Sequence, residues 1–248
     1  MVKGFQNLMK ITSVNNELVK ETAKLLQRKY RKTHFLLEGI KCIEEAIESG
    51  LEIEHLFVLE GSCEFADFEN RIETTEAVLS KISSTESAPK AVAVAKKINR
   101  KWQENYKKVV LLEDIKDAGN LGTILRTACA FNVDAIVLYG DTVDLYNPKC
   151  VRSSVGNLWK IPVFEMDDLS VFDDYERVAT LPKSNNTVWL RDYMPQEKVL
   201  LMFGTESSGL SQKLKDFATK NVTIEMTDKV ESLNLSISAG VILYKISI

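Results

Sequence analysis

"DAGNLGTILRTACAF" runs from Asp117 to Phe131, and its reading decides the fold. Arg126 is the only charged residue between Asp117 and Asp134. At helical spacing it shares a face with Gly122, Thr123, Cys129 and Ala130, all small. An arginine on such a face must find an anion or carry a desolvation cost. Two readings stay open on the residues alone: a buried salt bridge to Glu206 or Asp117, or an anion-binding role.

Apolar strands flank this helix, "KKVVLLEDI" (107–115) before it and "VDAIVLYG" (133–140) after it. The pattern continues with a helix around "NPKCVRSSVG" and strands in "KIPVFE", "RVATLP", "NTVWLRD", "EKVLLMFGTE" and "NVTIEM". "LSQKLKDFATK" reads as a surface helix and "SLNLSISAGVILYKISI" as the last helix. Strands that are apolar throughout and alternate with helices predict a parallel sheet covered on both faces. Upstream, helix 15–30 (capped by Asn15 or Asn16), strand 34–39, helix 39–50, strand 53–61, a short helix at 76–83 and strand 90–98 predict a small α/β unit. The expected division is 1–97, a linker at 98–106, and 107–248.

Among 248 residues, 45% are hydrophobic and 27% charged, as in ordinary globular proteins. No apolar run reaches the roughly 18 residues of a membrane span, and "MVKGFQNLMKITS" lacks a signal peptide's apolar stretch, so a cytoplasmic protein is expected. Cys42, Cys63, Cys129 and Cys150 are scattered without a C-x-x-C pair and read as reduced thiols. His34 and His55 stand far apart, so no metal site is expected. The net charge is −3, yet residues 1–41 carry nine Lys/Arg against three acids, +6. "QRKYRK" (27–32) is the densest part. Lys24, Arg28, Lys29, Arg31 and Lys32 are candidates for phosphate contacts; a solvated helix end explains them equally well.

Ligands of parallel sheets bind outside the carboxyl ends of the strands. Three strand ends carry unusual chemistry: "DAGNLG", "FGTESSGLS" and "MTDKVESLNLS". Gly204 and Gly209 free the backbone to turn or to approach a ligand. Ser232 or Asn234 either caps the last helix or points into the same cleft. Neither G-x-G-x-x-G nor a Walker A pattern is present.

Together these loops resemble the SpoU (TrmH) family of RNA 2′-O-ribose methyltransferases, of the SPOUT class. "NLGTILRTACAF", "LMFGTESSGLS" and "IEMTDKVESLNLSISAGVILY" are similar to its three motifs, in order. "NPKCVRSSVGNLWKIPV" resembles a further family stretch, with Lys149, Arg152, Ser154 and Gly156 in register. "ITSVNNELVK" through "FLLEGIKCIEEAI" looks like the family's substrate-binding domain, itself similar to small ribosomal proteins. Two positions depart from the motifs: Ala118 and Glu225 stand where the family usually has proline.

The resemblance implies a SPOUT domain with a deep trefoil knot, preceded by a small α/β RNA-binding domain. It implies S-adenosyl-L-methionine as methyl donor, its adenosine held by the loops at Gly204, Ile224, Met226 and Leu233. It implies a homodimer, with Arg126, Asn120, Glu206, Ser232 and Asn234 at the active site and Lys149 and Arg152 among the RNA contacts. Asn120 and Glu206 would shape the Arg126 site; Ser232 and Asn234 would orient ribose and donor. The expected substrate is structured RNA. The two-domain layout favours 23S rRNA over tRNA by analogy. A non-catalytic RNA-binding protein is the contrasting reading; Arg126, Glu206 and Asn234 argue against it. A methyltransferase conferring drug resistance on the ribosome would show the same motifs.

Overall fold

The computed structural model describes residues 9–205 and 207–247. The chain forms two compact units, one of residues 1–98 with 146–159, the other of 99–145 with 160–248.

In the first unit the elements are β1 (Met9–Ile11), α1 (Glu17–Lys24), β2 (His34–Glu38), α2 (Ile40–Glu48), β3 (Ile53–Leu59), β4 (Arg71–Thr74), α3 (Glu76–Lys81) and β5 (Ala91–Lys96). Its sheet is mixed, in the order β1-β4-β3-β5-β2. β5 runs antiparallel to β2 and β3, and β4 parallel to β3 and β1. Strands β1 and β4 were not expected. Each is short, and β1 exposes Met9 and Lys10, so neither shows the alternation or apolar run that marks a strand. The helix expected over 15–30 is also shorter. It ends at Lys24, and Arg28–Tyr30 forms a separate 3-10 turn.

That turn places the basic residues. Lys24, Arg28, Lys29 and Lys32 are exposed around Tyr30, with the Lys29 and Lys24 ammonium groups 4.9 and 5.9 Å from its ring. Arg31 is a correction. It is 4% exposed, and its Nη1 donates to the Leu25 carbonyl at 2.7 Å. It holds the turn after α1 and has no open side toward a phosphate.

The second unit comprises β6 (Lys108–Glu113), α4 (Ala118–Ala130), β7 (Ala135–Tyr139), β8 (Val163–Glu165), β9 (Glu176–Thr180), β10 (Val188–Trp189), β11 (Val199–Phe203), α6 (Gln212–Phe217), β12 (Lys220–Thr223) and α7 (Leu235–Ser247). Between β7 and β8 the chain forms α5 (Pro148–Ser154), which lies in the first unit. The seven strands are all parallel, in the order β10-β12-β9-β11-β6-β7-β8. Every residue of β11 is buried, which fits a strand covered on both faces.

In the first unit α5 packs on β2. Arg152 there pairs with Glu38, the last residue of β2. The Glu38 side chain is 2% exposed, and its carboxylate also accepts from the Ser84 N–H and hydroxyl at 2.8 and 3.1 Å. A buried carboxylate needs such partners, and deleting one typically costs about 3–5 kcal/mol. Arg152, its side chain 34% exposed, therefore serves as the counter-ion of Glu38. Lys149 is exposed.

The four cysteines form no disulfide. Burial pushes the Cys42 thiol up to about 12 and raises that of Cys129; Cys150 is buried and Cys63 exposed. Thiolate is the form that reacts. Iodoacetamide at pH 8 should label Cys63 first and leave Cys42 nearly untouched in the native protein. Equal labelling rates for the two, read by peptide mass mapping, would contradict the burial of Cys42.

Candidate active site

The carboxyl ends of β6, β11, β9 and β12 are neighbours in the sheet. From β6 the chain turns into α4, where Asp117 accepts the Asn120 N–H on Oδ1 at 2.8 Å. This cap starts the helix at Ala118.

After β11 the chain closes a tight loop. Thr205 and Gly209 exchange backbone hydrogen bonds of 3.2 and 3.0 Å, and the Thr205 and Ser208 hydroxyls lie 2.7 Å apart. The first strand of this turn crosses the second so closely that a Cβ on Gly204 would lie 2.1 Å from the Gly209 carbonyl carbon. Gly209 itself has φ +67°. Both glycines are required, one by contact and one by dihedral. Glu206, expected at the active site, lies outside the described residues.

After β12 the loop 224–234 leads into α7. Asn234 caps the last helix and also reaches the first motif. Its Oδ1 caps the helix, accepting from the N–H groups of Ser236 and Ile237 at 2.9 and 3.3 Å. Its Nδ2 donates to Asn120 Oδ1 at 3.1 Å. The first and third motifs are thus joined side chain to side chain, while α7 packs along α4.

The loops after β11 and β12 line a cleft of about 390 Å³. Gly204, Ile224, Met226, Ser232 and Leu233 are among the residues that line it. Thr180, Leu181 and Pro182, after β9, form a wall that the sequence reading missed. They end an apolar strand of a parallel sheet, and that position was the available signal. Leu235, Ser238 and Ile242 of α7 close another side. The volume lies in the roughly 300–1,000 Å³ range of small-molecule sites. Apolar side chains, small hydroxyls, loop backbone and the Glu231 carboxylate suit a nucleoside with a cationic sulfonium arm.

Asn120, Asn234 and Arg126 do not line this cavity. Arg126 is exposed and makes no hydrogen bond or ion pair among the described residues. The desolvation cost expected of it does not arise, because Thr123 and Ala130 beside it are exposed too and leave the guanidinium in water. Nor does it pair with Asp117. An uncommitted cation on an open helical face remains, on the helix that Asn120 links to the cavity wall through Asn234.

Residues 107–244 match the SpoU rRNA methylase family. The chain belongs to the SpoU family. Residues 16–93 match the MRM3-like substrate-binding domain. A Bacillus subtilis relative, the 23S rRNA (guanosine(2553)-2′-O)-methyltransferase RlmP, is 30% identical over 96% of this chain and 98% of its own. A solved RNA 2′-O ribose methyltransferase superposes with TM-score 0.81 at 31% identity, covering 96% of this chain and 97% of that one. An AdoMet-bound rRNA methyltransferase from Sinorhizobium meliloti superposes with TM-score 0.84 at 27% identity, covering 97% of both chains. This SpoU protein is an RNA 2′-O-ribose methyltransferase, and S-adenosyl-L-methionine is its methyl donor. No described helix is long and apolar enough to cross a membrane.

Proposed function

We propose that this SpoU protein methylates a ribose 2′-hydroxyl of 23S rRNA in the cytoplasm, as a homodimer, with residues 1–97 holding RNA and 107–248 performing the chemistry. The observation that carries the reading is the cavity where the second and third motif loops meet, with the first motif tied to its rim by the Asn234–Asn120 hydrogen bond. The likeness to a 23S rRNA enzyme along nearly the whole chain supports the choice of RNA. The exposed lysines around Tyr30 support the role of the first unit, since Lys and Arg contacts to phosphates supply most nonspecific affinity.

S-adenosyl-L-methionine supplies an electrophilic methyl group. The chain's part is to hold the donor, present the ribose and stabilise charge on the attacking oxygen. The loops at Gly204, Ile224 and Leu233 hold the adenosine by backbone, and Met226 and Ser232 complete that side of the cavity. Asn234 fixes the start of α7 against Asn120, which sets the distance between donor and ribose. Arg126 binds the phosphate beside the target ribose and stabilises the forming alkoxide.

The knot belongs to the same proposal. After β12, on the far side of β9 and β11 from β6, the chain returns to pack α7 on α4, and α7 also touches the turn at Leu190–Asp192. That return path supports threading of the C-terminal segment.

The dimer rests on α7. Ile237, Val241 and Tyr244 form one stripe at helical spacing and are exposed, Ile237 and Tyr244 by more than half (55% and 57%). Light scattering of the active protein should give twice the 28.0 kDa chain mass. Tyr244→Glu should shift it toward monomer and lower activity. A monomer mass in a preparation that methylates RNA would refute the dimer.

The function is tested by mapping ribose methylation in 23S rRNA and tRNA from cells with and without the protein. A single 2′-O-methyl nucleotide in 23S rRNA should depend on it. A transcript carrying 2′-deoxy at that nucleotide should bind and accept no methyl group. Label on a base, or a target in tRNA alone, would overturn the assignment.

A further inference from the structure

Trp189 lies at the sheet edge, outside the cavity, yet both flanking cavity walls are tied to its ring. β10 pairs in parallel with β12, which places Trp189 opposite Thr223, a residue that lines the cavity. On one side, the chain leaving the wall at Thr180–Pro182 brings the Lys183 ammonium 5.1 Å from the centre of the indole. On the other, the Arg191 guanidinium lies 5.9 Å from the same ring. Glu225 Oε1 accepts the Arg191 backbone N–H at 3.3 Å and sits 3.4 Å from its Nε. Ile224 and Met226, on either side of Glu225, both line the cavity.

From this arrangement we infer that Trp189 is a positioning residue for the methyl donor, which braces the 180–182 and 224–226 walls through Lys183 and through Arg191–Glu225. The inference rests on the reading of this cavity as the donor site. It also accounts for Glu225. A carboxylate that engages both the backbone and the side chain of Arg191 restrains the 224–226 loop where a proline ring would otherwise restrain it. The negative charge is thereby turned toward Arg191. Asp192 adds a second carboxylate, 3.5 Å from the same Nε, which keeps the guanidinium near the ring.

Each link is a cation over an aromatic face or a partly exposed ion pair, so each contributes modestly. Loss of the ring should weaken donor affinity by about three- to tenfold. The test is calorimetric titration of the full chain with S-adenosyl-L-methionine, alongside steady-state rates at saturating donor and RNA. Trp189→Leu, which keeps apolar bulk without a ring face, should raise Kd while kcat stays within about twofold. Trp189→Phe should return Kd most of the way to wild type. Glu225→Gln and Lys183→Met should each raise Kd by a smaller factor. A folded Trp189→Leu protein with wild-type affinity overturns the inference, and so does a Trp189→Phe protein as weak as Trp189→Leu. Should Trp189→Leu fail to fold, the two surface variants decide: unchanged Kd in both overturns it. Wild-type protein that does not bind the donor overturns the reading of the cavity itself, before any variant is compared.

Discussion

Arg126→Ala is expected to lower methyl transfer by about 10²–10³-fold, the effect of removing one group that stabilises a developing oxyanion. The melting temperature and donor affinity should stay at wild-type values. The structural basis for that separation is the exposure of Arg126 and its lack of any bond to a described residue. A surface substitution of this kind changes stability by about 0.5 kcal/mol or less. Arg126→Lys keeps the charge and loses the fork that grips phosphate from two sides, so it should recover only part of the rate. The measurements are single-turnover rates at saturating RNA and donor, with a thermal melt of each protein. Turnover within about tenfold of wild type for Arg126→Ala would remove the residue from the chemistry.

Gly204→Ala is expected to act on the cavity itself. The added Cβ would sit 2.1 Å from one backbone carbon and 2.2 Å from the next nitrogen, and neither can rotate away as a side chain could. The Thr205–Gly209 loop must move. Overpacking of this kind costs about 1–3 kcal/mol, and because the loop lines the cavity, donor affinity should fall by roughly 5–150-fold. Calorimetry on the folded variant reads the effect. Wild-type affinity would mean that the loop has room to relax and is not the wall described here.

The catalytic half was legible in its strands. β6, β7 and β11 are apolar along almost their whole length, and only a parallel sheet covered on both faces needs that. The motif loops were legible because glycines and caps mark strand ends. Other features left no local trace. Strands β1 and β4 pair with each other across 63 residues (Met9 opposite Ile72), and their residues carry no pattern of their own. The Asn120–Asn234 bond joins positions 114 apart. The exposure of Arg126 was not legible, because spacing predicts which neighbours share a face but not whether that face is covered. Arg31 was singled out by the density of charge around it and Arg152 by the resemblance, and neither signal shows what a guanidinium meets. Arg31 holds a turn and Arg152 pairs with a buried carboxylate. The apolar setting of Glu38 in "FLLEG" was the clue that a cation must meet it.

The excursion of residues 146–159 into the first unit bears on how the chain matures during synthesis. Residues 1–98 leave the ribosome before the α5 segment exists. At about 5–20 residues per second the delay is roughly 3–12 s. For that interval the Glu38 carboxylate has no Arg152, and β2 lacks the helix that covers it. The all-parallel sheet waits longer, since β6 gains its β11 neighbour only near residue 203 and the edge closes only with β12. A break in the gene near residue 100 would therefore be one-sided: the first message lacks the 146–159 piece of its own body, while the second encodes nearly the whole of the other body and carries that piece with it.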